Sequence, residues 1–117
     1  MSYMLLIVEP TGQRATRTEA EGRELYARMQ RFGEDLKAQG KLKAVESLAS
    51  QTGAVRVSTR GGKAQLLDGP FAEAKEMVGG FFLLDGVDRE EAIAIARRCP
   101  AAEWATVEVR ALAPCFM

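Results

Sequence analysis

Two stretches of this chain are apolar at almost every successive position: Tyr3-Met4-Leu5-Leu6-Ile7-Val8, and residues 77–85, which contain Gly79-Gly80-Phe81-Phe82-Leu83-Leu84. Side chains alternate between the two faces of a β-strand, so an unbroken apolar run has both faces to bury. Such strands belong in the interior of a sheet, between other strands. Alternation puts Leu5, Ile7, Phe81 and Leu83 on one expected face, and Leu6, Val8, Phe82 and Leu84 on the other. A further strand, over residues 105–112, sets Val107 and Val109 against Thr106, Glu108 and Arg110, as a strand with one wetter face should.

The intervening elements follow from capping and period. Thr18 and Glu21 form a capping box. Leu25, Met29, Phe32 and Leu36 then recur at helical spacing, with Gly22, Tyr26 and Gly33 beside the same stripe, and Gly40 closes a helix over residues 19–39. Residues 42–49 read as a strand, and 54–59 with 64–67 as a hairpin around Arg60-Gly61-Gly62-Lys63. Asp88 caps a second helix, with Glu91 at the reciprocal position, Ala92, Ile93, Ile95 and Ala96 as its apolar face, and Pro100 beyond its end. The order is β-α-β, a hairpin insertion, then β-α-β. It predicts an α+β domain over residues 1–117 on the split βαβ, or ferredoxin-like, plan. Two helices cover only one face of such a sheet. The other face keeps large apolar side chains, each worth roughly 1.5–3 kcal/mol when fully buried. A second copy of the same chain is the simplest cover, so a homodimer is expected.

Composition removes whole classes of function. Sixteen basic residues balance sixteen acidic ones, so no global field favours nucleic acid or an anionic membrane. Phe81 and Phe82 are adjacent and face opposite ways, whereas an RNA-binding sheet stacks bases on aromatics of one face. The N-terminal apolar run is too short to span a bilayer and lacks the flanks of an export signal, so no membrane partner and a cytoplasmic location are expected. Histidine is absent, which excludes Ser-His-Asp and Cys-His catalysis and a His-based zinc site. Cys99 and Cys115 make no CxxC pair. Neither a metal nor an organic cofactor is expected.

Between hairpin and last apolar strand stands Asp68-Gly69-Pro70-Phe71-Ala72-Glu73-Ala74-Lys75-Glu76, a segment unsuited to the interior of a strand or helix. Asp68 reads two ways. It is a general acid or base beside a pocket of Phe71, Phe81 and Phe82. Otherwise it is a turn residue capping the Phe71 N–H, because Pro70 offers no N–H two residues ahead. Lys75, with Glu73 or Glu76, either positions an anionic or polar substrate or belongs to a solvated surface. Gly79-Gly80 suits close approach of a ligand, tight sheet packing or a bulge. Arg14, Arg17 and Arg23 are offset by Glu19, Glu21 and Glu24 and read as a solvated face. Cys99 reads as a small apolar filler, and Trp104 as packed at the last strand.

Taken together, Tyr3-Met4-Leu5-Leu6, the segment from Asp68 to Glu76, Gly79-Gly80-Phe81-Phe82-Leu83-Leu84-Asp85 and Val107-Glu108-Val109-Arg110 resemble the DGPF-domain branch of the YCII-related family over nearly the whole chain. The resemblance implies a dimeric α+β barrel and a small-molecule enzyme with a cleft at the sheet and dimer interface. Asp68 would then serve as acid/base, with Lys75, Phe71 and Phe82 against the substrate. Genes of that branch often neighbour extracytoplasmic-function sigma factors, which implies the alternative: a non-catalytic dimeric ligand-binding or regulatory module of a sigma-factor system. Some YCII-like members carry a His-Asp pair proposed as catalytic. With no histidine here, that half of the pair cannot be carried over.

Overall fold

The computed structural model describes residues 1–117. Its elements are β1 (Ser2–Pro10), α1 (Glu19–Ala38), β2 (Leu42–Ser47), β3 (Val55–Arg60), β4 (Lys63–Asp68), β5 (Glu76–Asp85), α2 (Arg89–Arg98) and β6 (Thr106–Ala111). The main sheet has the order β2-β5-β1-β6, with every neighbouring pair antiparallel, and β3 and β4 form a separate two-stranded hairpin. The two doubly apolar segments are thus the two central strands, in an α+β arrangement compatible with the ferredoxin-like plan.

Both helices begin where their caps predict. The Thr18 hydroxyl accepts from the Glu21 N–H and the Glu21 carboxylate accepts from the Thr18 N–H, which satisfies two donors that an open helix end leaves free. Asp88 accepts from the Glu91 N–H in the same way. Glu91 does not complete a second box: its carboxylate pairs with Lys41 Nζ at 2.6 Å, tying α2 to the start of β2. No helix is long and apolar enough to cross a membrane.

Register corrects one expectation. In the β1–β5 pair Leu5 lies opposite Phe82 and Leu6 opposite Phe81. Directly opposed residues share a face, so Leu5 and Ile7 lie with Phe82 and Leu84 beneath the helices. Met4 and Leu6 lie with Phe81 and Leu83 on the other side. The expected grouping of Leu5 and Ile7 with Phe81 and Leu83 is out of step by one residue, because alternation orders side chains within a strand and only pairing relates two strands. A bulge then follows: Ile7 pairs with Gly80 and Val8 with Val78, leaving Gly79 as the extra residue of β5.

The core lies between the sheet and the helices. Leu5, Leu84 and Ile95 are fully buried, Leu36 and Cys99 nearly so, and Phe32 meets Phe82 edge-on with ring centroids 5.2 Å apart. The opposite face has no helix. There Met4, Leu6, Val8, Phe81 and Leu83 remain half-buried, while Thr106, Glu108 and Arg110 of β6 are exposed. The hairpin is barer still. Val57 and Leu66 are opposed on one of its faces and are 67% and 70% exposed. Its reach shows in the radius of gyration, 16.1 Å, against about 13 Å for a compact domain of this length.

Cys99 packs as the apolar filler expected of it, and burial pushes its thiol up to about 11. Cys115 is exposed. At mildly alkaline pH a disulfide-exchange reagent should therefore titrate one thiol in the native protein and two after denaturation. The raised pKa also sets a sign. Below the unfolded thiol's value both states hold the proton. Between that value and about 11 only the unfolded chain ionises, so stability falls with rising pH by up to roughly 1.4 kcal/mol per unit. Urea titrations from pH 8 to 11 should show this loss in the native chain and its absence in Cys99→Ala.

Candidate functional site: the cleft beneath α1

Helix α1 does not lie flat on the sheet. Its sheet-facing stripe runs Gly22, Leu25, Met29, Gly33 and Leu36. At Gly33 contact is close: a Cβ there would sit 3.5 Å from the Phe82 ring. Gly33 and Leu36 are buried, Leu25 and Met29 only half so, and a Cβ at Gly22 would meet nothing within 4 Å. The helix and sheet are in contact near the C-terminal half of α1 and separate towards its N-terminus. Between them opens a cleft of about 1180 Å³, above the range of ~300–1,000 Å³ common for small-molecule pockets. Tyr26 and Met29 of α1, Val45 of β2, Leu48 just after it, and Phe82 of β5 give it an apolar lining.

The floor at the wide end is polar and built. Glu9 continues the inward row Tyr3, Leu5, Ile7 along β1, so its carboxylate is carried under the helix layer, and the residue is only 6% exposed. Arg14, from the 3₁₀ turn after β1, meets it side-on: Nε donates to Oε1 at 2.6 Å and Nη2 to Oε2 at 3.3 Å. The rest of the guanidinium donates to two carbonyls, Leu48 at 2.8 Å and Gly79 at 3.4 Å. Arg14 therefore joins the end of β1, the strand-end loop after β2 and the bulge of β5. Glycine at 79 makes room for this, since a Cβ there would overlap Glu9 Oε2 and crowd Arg14 Nη2, displacing the pair. Gly80 is equally confined, with the Glu46 carbonyl 2.8 Å from its would-be Cβ. The glycine pair thus serves a bulge and close packing. The carbonyl of Gly79 also accepts from the Leu48 N–H, where the regular pairing of β2 has ended at Ser47 rather than at residue 49.

Of the residues singled out in the sequence, Phe82 lines this cleft, whereas Asp68, Phe71 and Lys75 do not. Asp68 ends β4 opposite Val55, is exposed, and makes no hydrogen bond to the Phe71 N–H. The expected cap is absent because Asp68 is still in the hairpin ladder, and the chain turns through Gly69 instead. The Gly69 N–H donates to the Ala54 carbonyl at 2.7 Å, and a Cβ there would overlap the Gln51 carbonyl. The Gly69–Pro70 peptide is cis. Phe71 is buried beneath the Arg56 guanidinium, 3.9 Å from the ring centroid, and its carbonyl accepts from Ala74. Lys75 is exposed, and its carbonyl accepts from the Thr11 N–H. The segment anchors the hairpin to the body. No three Cys, Asp or Glu side chains come together as a metal site would need.

A family profile of the YCII-related domain matches residues 1–115. The chain belongs to the YCII-related family. It is also 41% identical over 76 residues to an uncharacterized protein of Rhizobium meliloti (strain 1021), an alignment spanning 63% of this chain and 61% of that protein. Of the pair, Glu9 is the residue that the sequence reading leaves out, and Arg14 is one that it places on a solvated surface. Their signal was present: a single carboxylate at the end of an inward apolar row, with an arginine five positions later. The expected solvated face of Arg14, Arg17 and Arg23 holds only for Arg23: Arg14 is half-buried in an ion pair, and Arg17 is half-buried beside the start of α1.

Removing one partner of a buried pair leaves an uncompensated charge. Arg14→Ala should cost near the lower end of roughly 3–5 kcal/mol, and Glu9→Gln with Arg14→Met should recover part of that loss. Gly79→Ala should cost about 1–3 kcal/mol through forced displacement of the pair. Urea denaturation measures all three. Wild-type stability in Arg14→Ala would contradict the stapling role.

Proposed function

We propose that this protein is a small-molecule-binding member of the DGPF branch whose ligand enters the cleft beneath α1 and reaches the Glu9–Arg14 floor. One observation carries the reading: a buried carboxylate paired with a half-buried guanidinium forms the floor of a large, mainly apolar cleft that the chain's own side chains leave open. A core built only for stability would bring α1 down along its whole stripe. If the protein is an enzyme, the carboxylate within reach of a molecule in the cleft is Glu9 rather than Asp68, and reach is the first requirement of a proton-transfer group. A non-catalytic ligand-binding or regulatory role uses the same cleft. The enzyme reading rests on family analogy, and Asp68, Phe71 and Lys75 lie outside the cleft in either reading.

A neutral, polarity-sensitive dye such as Nile red should bind the native protein and fluoresce. Gly22→Phe places a ring in the empty wide end and should abolish that fluorescence with the circular dichroism unchanged. Asp68→Asn should leave dye affinity unaltered and stability within about 0.5 kcal/mol of wild type. Retained fluorescence in Gly22→Phe would locate the dye elsewhere and remove the cleft. A tenfold loss in Asp68→Asn would restore Asp68 to the site.

The working unit is a homodimer formed through the uncovered sheet face. Met4, Leu6, Val8, Phe81 and Leu83 form a contiguous apolar surface on the two central strands, and a two-fold pairing covers it with itself. Light scattering should give twice the chain mass at micromolar concentration. Leu6→Glu should give a folded monomer; a monomeric wild-type protein would overturn this.

A further inference from the structure

Charge is distributed unevenly along the cleft. At its narrow end Glu34 and Lys37, one turn apart on α1, are both exposed and offset each other. The wide end is lined by three arginines, Arg14, Arg17 and Arg23, and by two carboxylates, Glu9 and Glu19. Both carboxylates are taken: Glu9 by Arg14 and Glu19 by Arg23, the latter at 2.6 Å. Glu46, also at the cleft, is opposite Phe81 in the β2–β5 ladder and so projects from the uncovered face of the sheet. Glu21 and Glu24 share a shallow depression with Arg17 at the same corner; Glu24 also lies near Arg28, and the Glu21 carboxylate accepts from the Thr18 N–H at 2.8 Å. That bond is the foremost cause holding its pKa below the usual carboxylate range, with Arg17 only a minor contributor.

Arg17 is therefore the one cation of the wide end without an ion-pair partner. It is half-buried at the mouth, immediately before the capped start of α1, where the helix dipole adds positive potential. The apolar lining begins one to three turns further along, with Leu25, Tyr26 and Met29 above and Val45 and Phe82 opposite. An arginine without an ion-pair partner at the mouth of an apolar slot that narrows towards Gly33 has a definite complement.

Resting on the cleft reading above, we propose that the ligand is an amphipathic monoanion: a carboxylic acid whose anionic head pairs with Arg17 while its aliphatic or aromatic body lies between α1 and β5. An arginine suits this role because its planar fork meets both oxygens of a carboxylate. Glu9, lying deeper than the head, faces the body of the ligand.

Displacement of Nile red by octanoate, octanol and octylamine, which share one tail, tests the head group. Octanoate should displace the dye at a concentration at least tenfold lower than octanol or octylamine, and added salt should weaken octanoate alone. Arg17→Gln should raise the octanoate midpoint about tenfold and leave octanol unchanged, with partial recovery in Arg17→Lys. Equal midpoints for octanoate and octanol, or an Arg17→Gln protein that still prefers the acid, would overturn the anionic class while leaving the cleft intact. Dye binding that Gly22→Phe fails to remove, with none of the three compounds displacing it, would instead overturn the cleft and this proposal with it.

Discussion

The ladder between β1 and β5 is the contact on which everything else depends. Placing Leu5 opposite Phe82 commits four large side chains to the helix side and leaves Met4, Leu6, Phe81 and Leu83 on the other. The same ladder carries Glu9 to the end of the inward row, where a carboxylate needs a partner in place of the water it has lost. Arg14 supplies it from a turn only a few residues along, and the bulge at Gly79 makes room for both. Register, ion pair and bulge are one arrangement. A side chain at Gly79 or a slip of one residue disrupts all three.

The cleft has a similarly local origin. Packing of α1 is settled at Gly33 and Leu36, where the helix approaches Phe82, while the polar corner built around Glu9 and Arg14 occupies the sheet side near the other end. A helix is stiff over twenty residues, so contact at one end and a polar floor at the other produce a wedge. Tyr26, over half exposed, shows the apolar stripe continuing past the point where the protein itself covers it. The stripe and the open end of the cleft therefore coincide.

Much of the fold was legible because its signals are local. The Thr18–Glu21 box and the glycine after α1 act within a few residues and appear where expected, and the hairpin forms with its turn drawn in to Gly61-Gly62. The candidate site was less legible. The segment from Asp68 to Glu76 drew attention by its unusual composition, yet its aromatic is buried under Arg56 and its carboxylate remains on the hairpin. Unusual residues mark unusual backbone, and here that backbone is a junction. Glu9 looked ordinary at the end of a strand, because burial belongs to the assembled sheet and not to the residue.

The sequence by itself determined the class of structure: two strands apolar on both faces, two capped helices, a hairpin between them, and no histidine for metal or triad chemistry. Those properties depend on residue type and short-range spacing. Tertiary structure alone decided which faces of β1 and β5 coincide, that Glu9 and Arg14 form the floor of a cleft, and that Arg17 is left unpaired at its mouth. The reason is physical. Register, burial and charge partnership are relations between segments distant along the chain, and they exist only once those segments are packed together.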